Sequence, residues 1–463
     1  MNTIKLTQKE KIAYGLGDTG CNLVWQTVML FLAYFYTDVY GLSPAHMGTM
    51  FLLVRFIDAV TDPIMGGIVD RTKSKHGKYR PYMLWVAVPF GIACLMVFYT
   101  PDIGETGKVI YAYISYITLT IMYTAINVPY CAMANTLTND SDERTSLQSY
   151  RFALSTVGGL IVAMVALPLV DVIGQGDKQL GYLGAMSIMG LGAIGLFIIC
   201  FKNVKERVSV EPDQKSSVKE NIQLFKSNKP WVVIFILNIV LLAAVVLKGG
   251  STLYYVNTVM EREDLATFVI SIGMVAAIIG ALISPILLKG YDKVKAYQTL
   301  TVISGLLSCS IFFISPQNPF LVIAVMVVLG VIQMMTTPIL WSMMSDVVDY
   351  EKTKSSRNVS GIVFASVLFA IKLGIAIGGA MIGWLLAFTG YDGQAAAQPE
   401  AALTMINLLF SFIPGVMFIA LAGIMHFYPL HKPELEKIKA LLSLEGKEAH
   451  QEPKEKLHPV ELN

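Results

Sequence analysis

Three ionisable side chains, Arg55, Asp58 and Asp62, lie inside the apolar stretch GLSPAHMGTMFLLVRFIDAVTDPIMGGIVD (41–70). Such a stretch can cross a bilayer, which needs about 20 residues. An ionisable group at the bilayer centre costs about 2.5–3.5 kcal/mol on insertion scales. The spacing i, i+3, i+7 gathers all three on one narrow stripe of a helix, and that stripe must face protein or a water-filled cavity. Two carboxylates beside a guanidinium make a seat for a cation, so the motif predicts an ion-coupled transporter. The plainer alternative is a structural salt bridge in which Arg55 neutralises the aspartates.

The elements around the motif fit a membrane carrier. The chain has 463 residues, 54% hydrophobic and 15% charged, against about 25% charge in soluble domains; its mean hydropathy is +0.59. An all-α integral membrane protein is expected. The net charge of +2 says nothing about nucleic acid, and no basic run is interleaved with aromatics as a nucleic-acid face would be, so no nucleic-acid partner is expected. Cys21, Cys94, Cys131, Cys200 and Cys309 stand singly in apolar segments, so neither a disulfide framework nor a metal site is expected. The start, MNTIKLTQKEKIAYG, reads as a cytoplasmic tail and not as a signal peptide.

Twelve apolar runs follow, with cores at 14–36, 44–69, 81–99, 109–134, 147–171, 180–201, 230–256, 265–288, 297–314, 319–345, 358–388 and 402–427. They predict two six-helix bundles, 1–202 and 230–427, joined by a polar cytoplasmic loop, 203–229, and followed by a cytoplasmic tail, 428–463. The tail carries an amphipathic run over 433–444. Of the 35 Lys and Arg residues, 29 fall in loops on the side of the termini, and only Lys108, Lys178 and Arg262 on the other. The positive-inside rule then places both termini in the cytoplasm. Arg55, Lys248 and Lys372 remain inside the membrane, facing Asp18, Asp58 and Asp62. Three cations against three anions predict a polar cavity whose charges neutralise one another.

The halves echo each other. VPYCAMANTLTNDSDERTSLQSYRFA (128–153) leaves the fourth run and TPILWSMMSDVVDYEKTKSSRNVSGIVFA (337–365) leaves the tenth, with Pro129 and Pro338 in corresponding places. Repeats of this kind predict the major facilitator fold, with the substrate bound where the repeats meet.

The stretches YGLGD (14–18), FYTDVYGLS (35–43), GTMFLLVRFIDAVTDPIMG (48–66), HGKYRP (76–81), YTAINVPY (123–130), SDVVDYE (345–351) and KLGIAIGG (372–379) resemble the glycoside–pentoside–hexuronide:cation symporters, the family of the melibiose carrier. The resemblance runs along nearly the whole chain. It implies alternating access and sugar uptake coupled to a cation, Na+ or H+, with no other cofactor. Asp58 and Asp62 fall on the family's cation-binding carboxylates, Lys372 on the nearby eleventh-span lysine that serves as counter-charge, and Tyr123 and Thr124 on the neighbouring fourth-span pair. Arg151 falls on the fifth-span arginine near the sugar. Where melibiose-type carriers place acidic sugar-binding residues, this chain has Asn22 and Asn127, and Lys248 adds a cation outside that pattern. An amide donates as well as accepts hydrogen bonds, so another ring than galactose is expected. The pentoside or xyloside branch is the nearest match, and a hexuronide, which Lys248 would hold by its carboxylate, is the alternative.

Asp18 is read either as a cavity residue or as an anchor for the first span. Trp341, and less so Trp25, are candidates for stacking on a sugar ring. In the loop after the second span, Arg71, Lys78 and Arg80 are expected to gate the cytoplasmic side against Asp142, Asp346 and Asp349. The partners implied are a small glycoside, a monovalent cation and the lipid bilayer, with the monomer as functional unit in a bacterial inner membrane. A rival of another class is an intramembrane prenyltransferase, which needs two acidic motifs, here Asp58-x-x-x-Asp62 and Asp346-x-x-Asp349. Those motifs would have to converge at one membrane face. Asp58 instead lies deep in its span and Asp346 at the end of another, so transport is favoured.

Overall fold

The computed structural model describes residues 5–138, 141–208, 225–287, 291–355, 360–395, 397–438 and 440–441. Among them no strand occurs. The first half comprises α1 (Gln8–Tyr34), α2 (Pro44–Arg71), α3 (Tyr82–Trp85), α4 (Ala87–Phe98), α5 (Glu105–Leu137), α6 (Ser141–Gly174) and α7 (Lys178–Asn203). The second comprises α8 (Lys229–Tyr254), α9 (Ala266–Leu287), α10 (Lys293–Phe312), α11 (Pro319–Ser355), α12 (Ser360–Phe388), α13 (Glu400–Asn407) and α14 (Ile413–Met425). Every expected apolar run falls on a helix. The run 81–99 is broken at Val86 into α3 and α4, and the run 402–427 passes from α13 to α14 through a π turn, Leu408–Phe412. Among the described residues, eight helices are long and apolar enough to span a membrane by length and composition.

Local chemistry sets the helix starts. Thr7 caps α1 through a reciprocal capping box with Glu10, which satisfies backbone N–H groups that the first turn leaves open. Ser43, followed by Pro44, starts α2. Asp177, Asn228 and Asp292 cap α7, α8 and α10. Of the tail, residues 432–438 are helical, and 442–463 lie outside the described residues.

The halves repeat one packing plan. In the first, α1 lies against α6 and α7, while α5 lies against α2 and α4. In the second, α8 lies against α12 and α14, while α11 lies against α9 and α10. The inner helices α5 and α11 each contain the expected proline, Pro129 and Pro338. A further repeat was not visible in the periodicity: α1 and α8 both end in a π turn, Phe35–Val39 and Tyr255–Val259, each preceded by a tyrosine.

The halves meet through α1 with α8, α2 with α12, and α6 with α9. At the end remote from the termini the contact is tight. The Thr37 and Tyr254 hydroxyls are 2.7 Å apart, the Tyr391 hydroxyl donates to Asp38 at 2.6 Å, and Lys178 pairs with Glu263 at 2.6 Å. Helices α2 and α12 cross at Gly48 and Gly383. A Cβ on Gly383 would lie 2.4 Å from the Pro44 carbonyl oxygen and 2.6 Å from Gly48 Cα. Toward the termini, the ion pairs Lys11–Glu143 and Lys293–Asp346 stay within one half, and a Cβ at Gly66 or Gly67 of α2 would meet nothing within 4 Å. Among the described residues these features point to a chamber between the halves on the side of the termini.

Candidate functional site

The chamber is built from stripes of partly exposed residues at helical spacing on otherwise buried helices. On α1 the stripe is Asn22, Trp25, Gln26 and Met29; on α5 it is Tyr123, Asn127 and Cys131. Its counterpart on α11 is Gln333, Thr337 and Trp341, the last 44% exposed. On α8 the partly exposed residues Val245, Lys248 and Gly249 recur at i, i+3, i+4. Helix α8 is the most enclosed candidate span, with 61% of its apolar window buried against 28–44% in the other seven. Beside Lys248 on this enclosed helix, a Cβ added at Gly249 would meet nothing within 4 Å.

At the centre, α2 brings Asp58 and Asp62 onto one face, one helical turn apart. The Thr124 hydroxyl, on α5, lies 3.0 Å from Asp58 Oδ1 and 3.2 Å from Asp62 Oδ1. Lys372, on α12, bridges the remaining oxygens: its Nζ is 3.1 Å from Asp58 Oδ2 and donates directly to Asp62 Oδ2. Two carboxylates and a hydroxyl thus converge on an ammonium. Oxygen donors in this arrangement suit a hard monovalent cation, or a proton shared between the acids, and the Lys372 ammonium supplies positive charge at the same place. Among the described residues no group of three or more His, Cys, Asp or Glu could hold a metal ion.

Arg55 is buried and sits 3.5 Å from Asp58 Oδ2. Its guanidinium also donates to the Tyr116 hydroxyl at 3.5 Å and lies 4.5 Å from the centroid of the Trp25 ring. Trp25 in turn stacks on Tyr123 at 4.9 Å. Tyr116 was absent from the sequence expectations, and Trp25 carried less weight in them than its place warrants. An aromatic in an apolar run has no signature that separates a chamber wall from ordinary packing.

A second polar cluster lies toward the termini. Arg151 Nε is 3.1 Å from Asp18 Oδ2, and its guanidinium lies 5.3 Å from the Tyr130 ring centroid. Asn22 Nδ2 donates to the Asp18 carbonyl at 3.0 Å and to Ser155 Oγ at 2.7 Å. Asn127 Oδ1 accepts from Cys131 Sγ at 3.5 Å. Asp18 is thus held by Arg151. The charge pattern differs from the sequence expectation here: the partner of Asp18 is Arg151 of the fifth span (α6) and not one of Arg55, Lys248 and Lys372. Asp18, Asp58 and Asp62 are all paired. Lys248 Nζ makes no hydrogen bond or ion pair among the described residues.

The expected gating residues lie away from this centre. Glu206 accepts hydrogen bonds from the backbone N–H of Lys78, Tyr79 and Arg80 at 3.1, 2.7 and 2.7 Å. Arg80 Nε donates to the Phe201 carbonyl at 2.6 Å, and Asp346 pairs with Lys293. Arg71 is exposed and Asp349 partly so, while the side chain of Asp142 lies outside the described residues.

Two helical halves of apolar helices that meet around paired charges are the architecture of a membrane transporter. Residues 13–432 match the model of the family described as MFS/sugar transport protein, and the chain belongs to that family. It is 45% identical over 438 residues to the putative glycoside/cation symporter YagG of Escherichia coli K12, covering 95% of both chains. To the isoprimeverose transporter of Lactiplantibacillus pentosus it is 32% identical, covering 96% of this chain and 92% of the other. The fold superposes on the crystal structure of the nucleoside transporter NupG with a TM-score of 0.65, at 13% identity, over 91% of this chain and 99% of that one.

Proposed function

We propose that the chain is a cation-coupled symporter that imports a glycoside of the pentoside or xyloside class by alternating access. The observation that carries this reading is the Asp58–Asp62–Thr124 oxygen cluster with Lys372 set into it. Na+ or H+ at the two carboxylates competes with Lys372 for the same oxygens. Its arrival changes the chamber's electrostatics and thereby its affinity for sugar. Asn22, Asn127, Tyr123, Arg151 and Trp341 form the walls against which the glycoside packs, with Asp18 orienting Arg151. The similarity to an isoprimeverose transporter supports a pentoside. Lys248 supports a second reading, a hexuronide, because its ammonium has no partner among the described residues.

With the termini in the cytoplasm of a bacterial inner membrane, the open end of the chamber is cytoplasmic and the carrier, acting as a monomer, faces inward. Its return to the outward-facing state brings Arg71, Lys78 and Arg80 toward Asp142, Asp346 and Asp349 across the cytoplasmic mouth. Uptake by vesicles of a pentoside and a hexuronide panel, with Na+ and pH varied independently, tests the reading. Accumulation of a xyloside that follows one cation gradient is the expected result. Uptake indifferent to both gradients overturns it.

A further inference from the structure

Trp25, a minor candidate for sugar stacking on the sequence, stands between the two parts of the site. Arg55 lies 4.5 Å from its ring centroid and 3.5 Å from Asp58 Oδ2. Tyr123 stacks on the same indole at 4.9 Å with an interplanar angle of 28°. The residue after Tyr123 is Thr124, whose hydroxyl reaches both carboxylates. The indole and the carboxylate pair are thus joined by two short routes, one through a guanidinium and one through adjacent residues of α5.

Taking the proposed symport as its basis, we infer that Trp25 is the positioning residue through which occupancy of the cation seat alters the glycoside site. Asp58 Oδ2 is shared by Arg55 and Lys372, at 3.5 and 3.1 Å. A cation drawn to Asp58 and Asp62 weakens the hold of that oxygen on Arg55. The guanidinium has two other contacts, the Tyr116 hydroxyl and the face of Trp25. Charge released from Asp58 is therefore taken up by the ring, since an aromatic face attracts a desolvated guanidinium. The indole is partly exposed on the chamber stripe that also carries Asn22. Fixing it fixes Tyr123 beside it, and the pair becomes a rigid platform for the apolar face of a sugar. Coupling needs a differential contact between the cation-free and cation-bound states, and Arg55 on Trp25 supplies one.

The test is equilibrium binding of 4-nitrophenyl β-D-xylopyranoside, and of a nitrophenyl glucuronide, to the purified full-length carrier with Na+ and pH each varied. In the wild type, saturating cation tightens sugar binding about tenfold, within the usual range for coupled sites. Trp25→Leu, and Trp25→Met, which fills the space without a ring face, lower that ratio to less than about twofold. Trp25→Phe keeps most of it. A merely structural role lowers affinity with and without cation alike and leaves the ratio intact, so a wild-type ratio in the Leu and Met variants overturns the inference alone. A wild type whose binding of both glycosides ignores both cations overturns the symport reading, and the inference with it.

Discussion

Single side chains decide how a cation is held. Thr124 is the residue whose removal is cleanest to interpret, because it touches both Asp58 and Asp62 and carries no charge. Thr124→Val keeps the shape and deletes a hydrogen bond to a charged group, worth about 1.5–3 kcal/mol. The concentration of coupling cation that half-saturates uptake should rise roughly tenfold or more, with cation-free sugar binding little changed; titrating uptake against Na+ and pH measures it. Much of this centre was legible beforehand. Asp58 and Asp62 announced themselves because charge in an apolar run is energetically conspicuous. Their contact with Lys372, 310 positions away, came only from resemblance, since no periodicity relates residues so far apart. Trp25 was only a minor candidate for stacking on a sugar, and Tyr116 was not named at all, for the opposite reason. Their ring types are what packing uses anyway.

Element-level order was easier to read than element ends. Apolar runs located the helices in their order, but the break of 81–99 at Val86 into α3 and α4 and the π turns at Phe35–Val39 and Tyr255–Val259 leave no mark on hydropathy. The pairing of Arg151 with Asp18, 133 positions apart, was likewise invisible to periodicity. The crossing of α2 and α12 makes its own prediction. A Cβ on Gly383 has no room against the Pro44 carbonyl or Gly48, and both neighbours are backbone, which yields less readily than side chains. Gly383→Val should keep α2 and α12 apart and bias the carrier toward a state open at the end remote from the termini. A cysteine introduced at Thr37 would then react faster with an impermeant thiol reagent from that side, while uptake falls roughly tenfold or more, as a shift of one to two kcal/mol between the two states implies. Unchanged labelling and uptake would show that the crossing does not close the chamber.

For the whole molecule, one packing plan is repeated in two halves that are bonded together at one end. In the proposed alternating-access cycle, rocking of the halves would break Thr37–Tyr254, Asp38–Tyr391 and Lys178–Glu263 together. The proposed cation seat spans the two halves, with two acids from the first and a lysine from the second. On the proposed reading cation binding and domain motion are coupled, and the most direct measurement of this claim separates accumulation from binding. Asp62→Cys, assayed in vesicles for gradient-driven uptake and, purified, for binding of the same xyloside, should lose accumulation entirely while binding survives within about tenfold. Accumulation at the wild-type level in that variant would contradict the account.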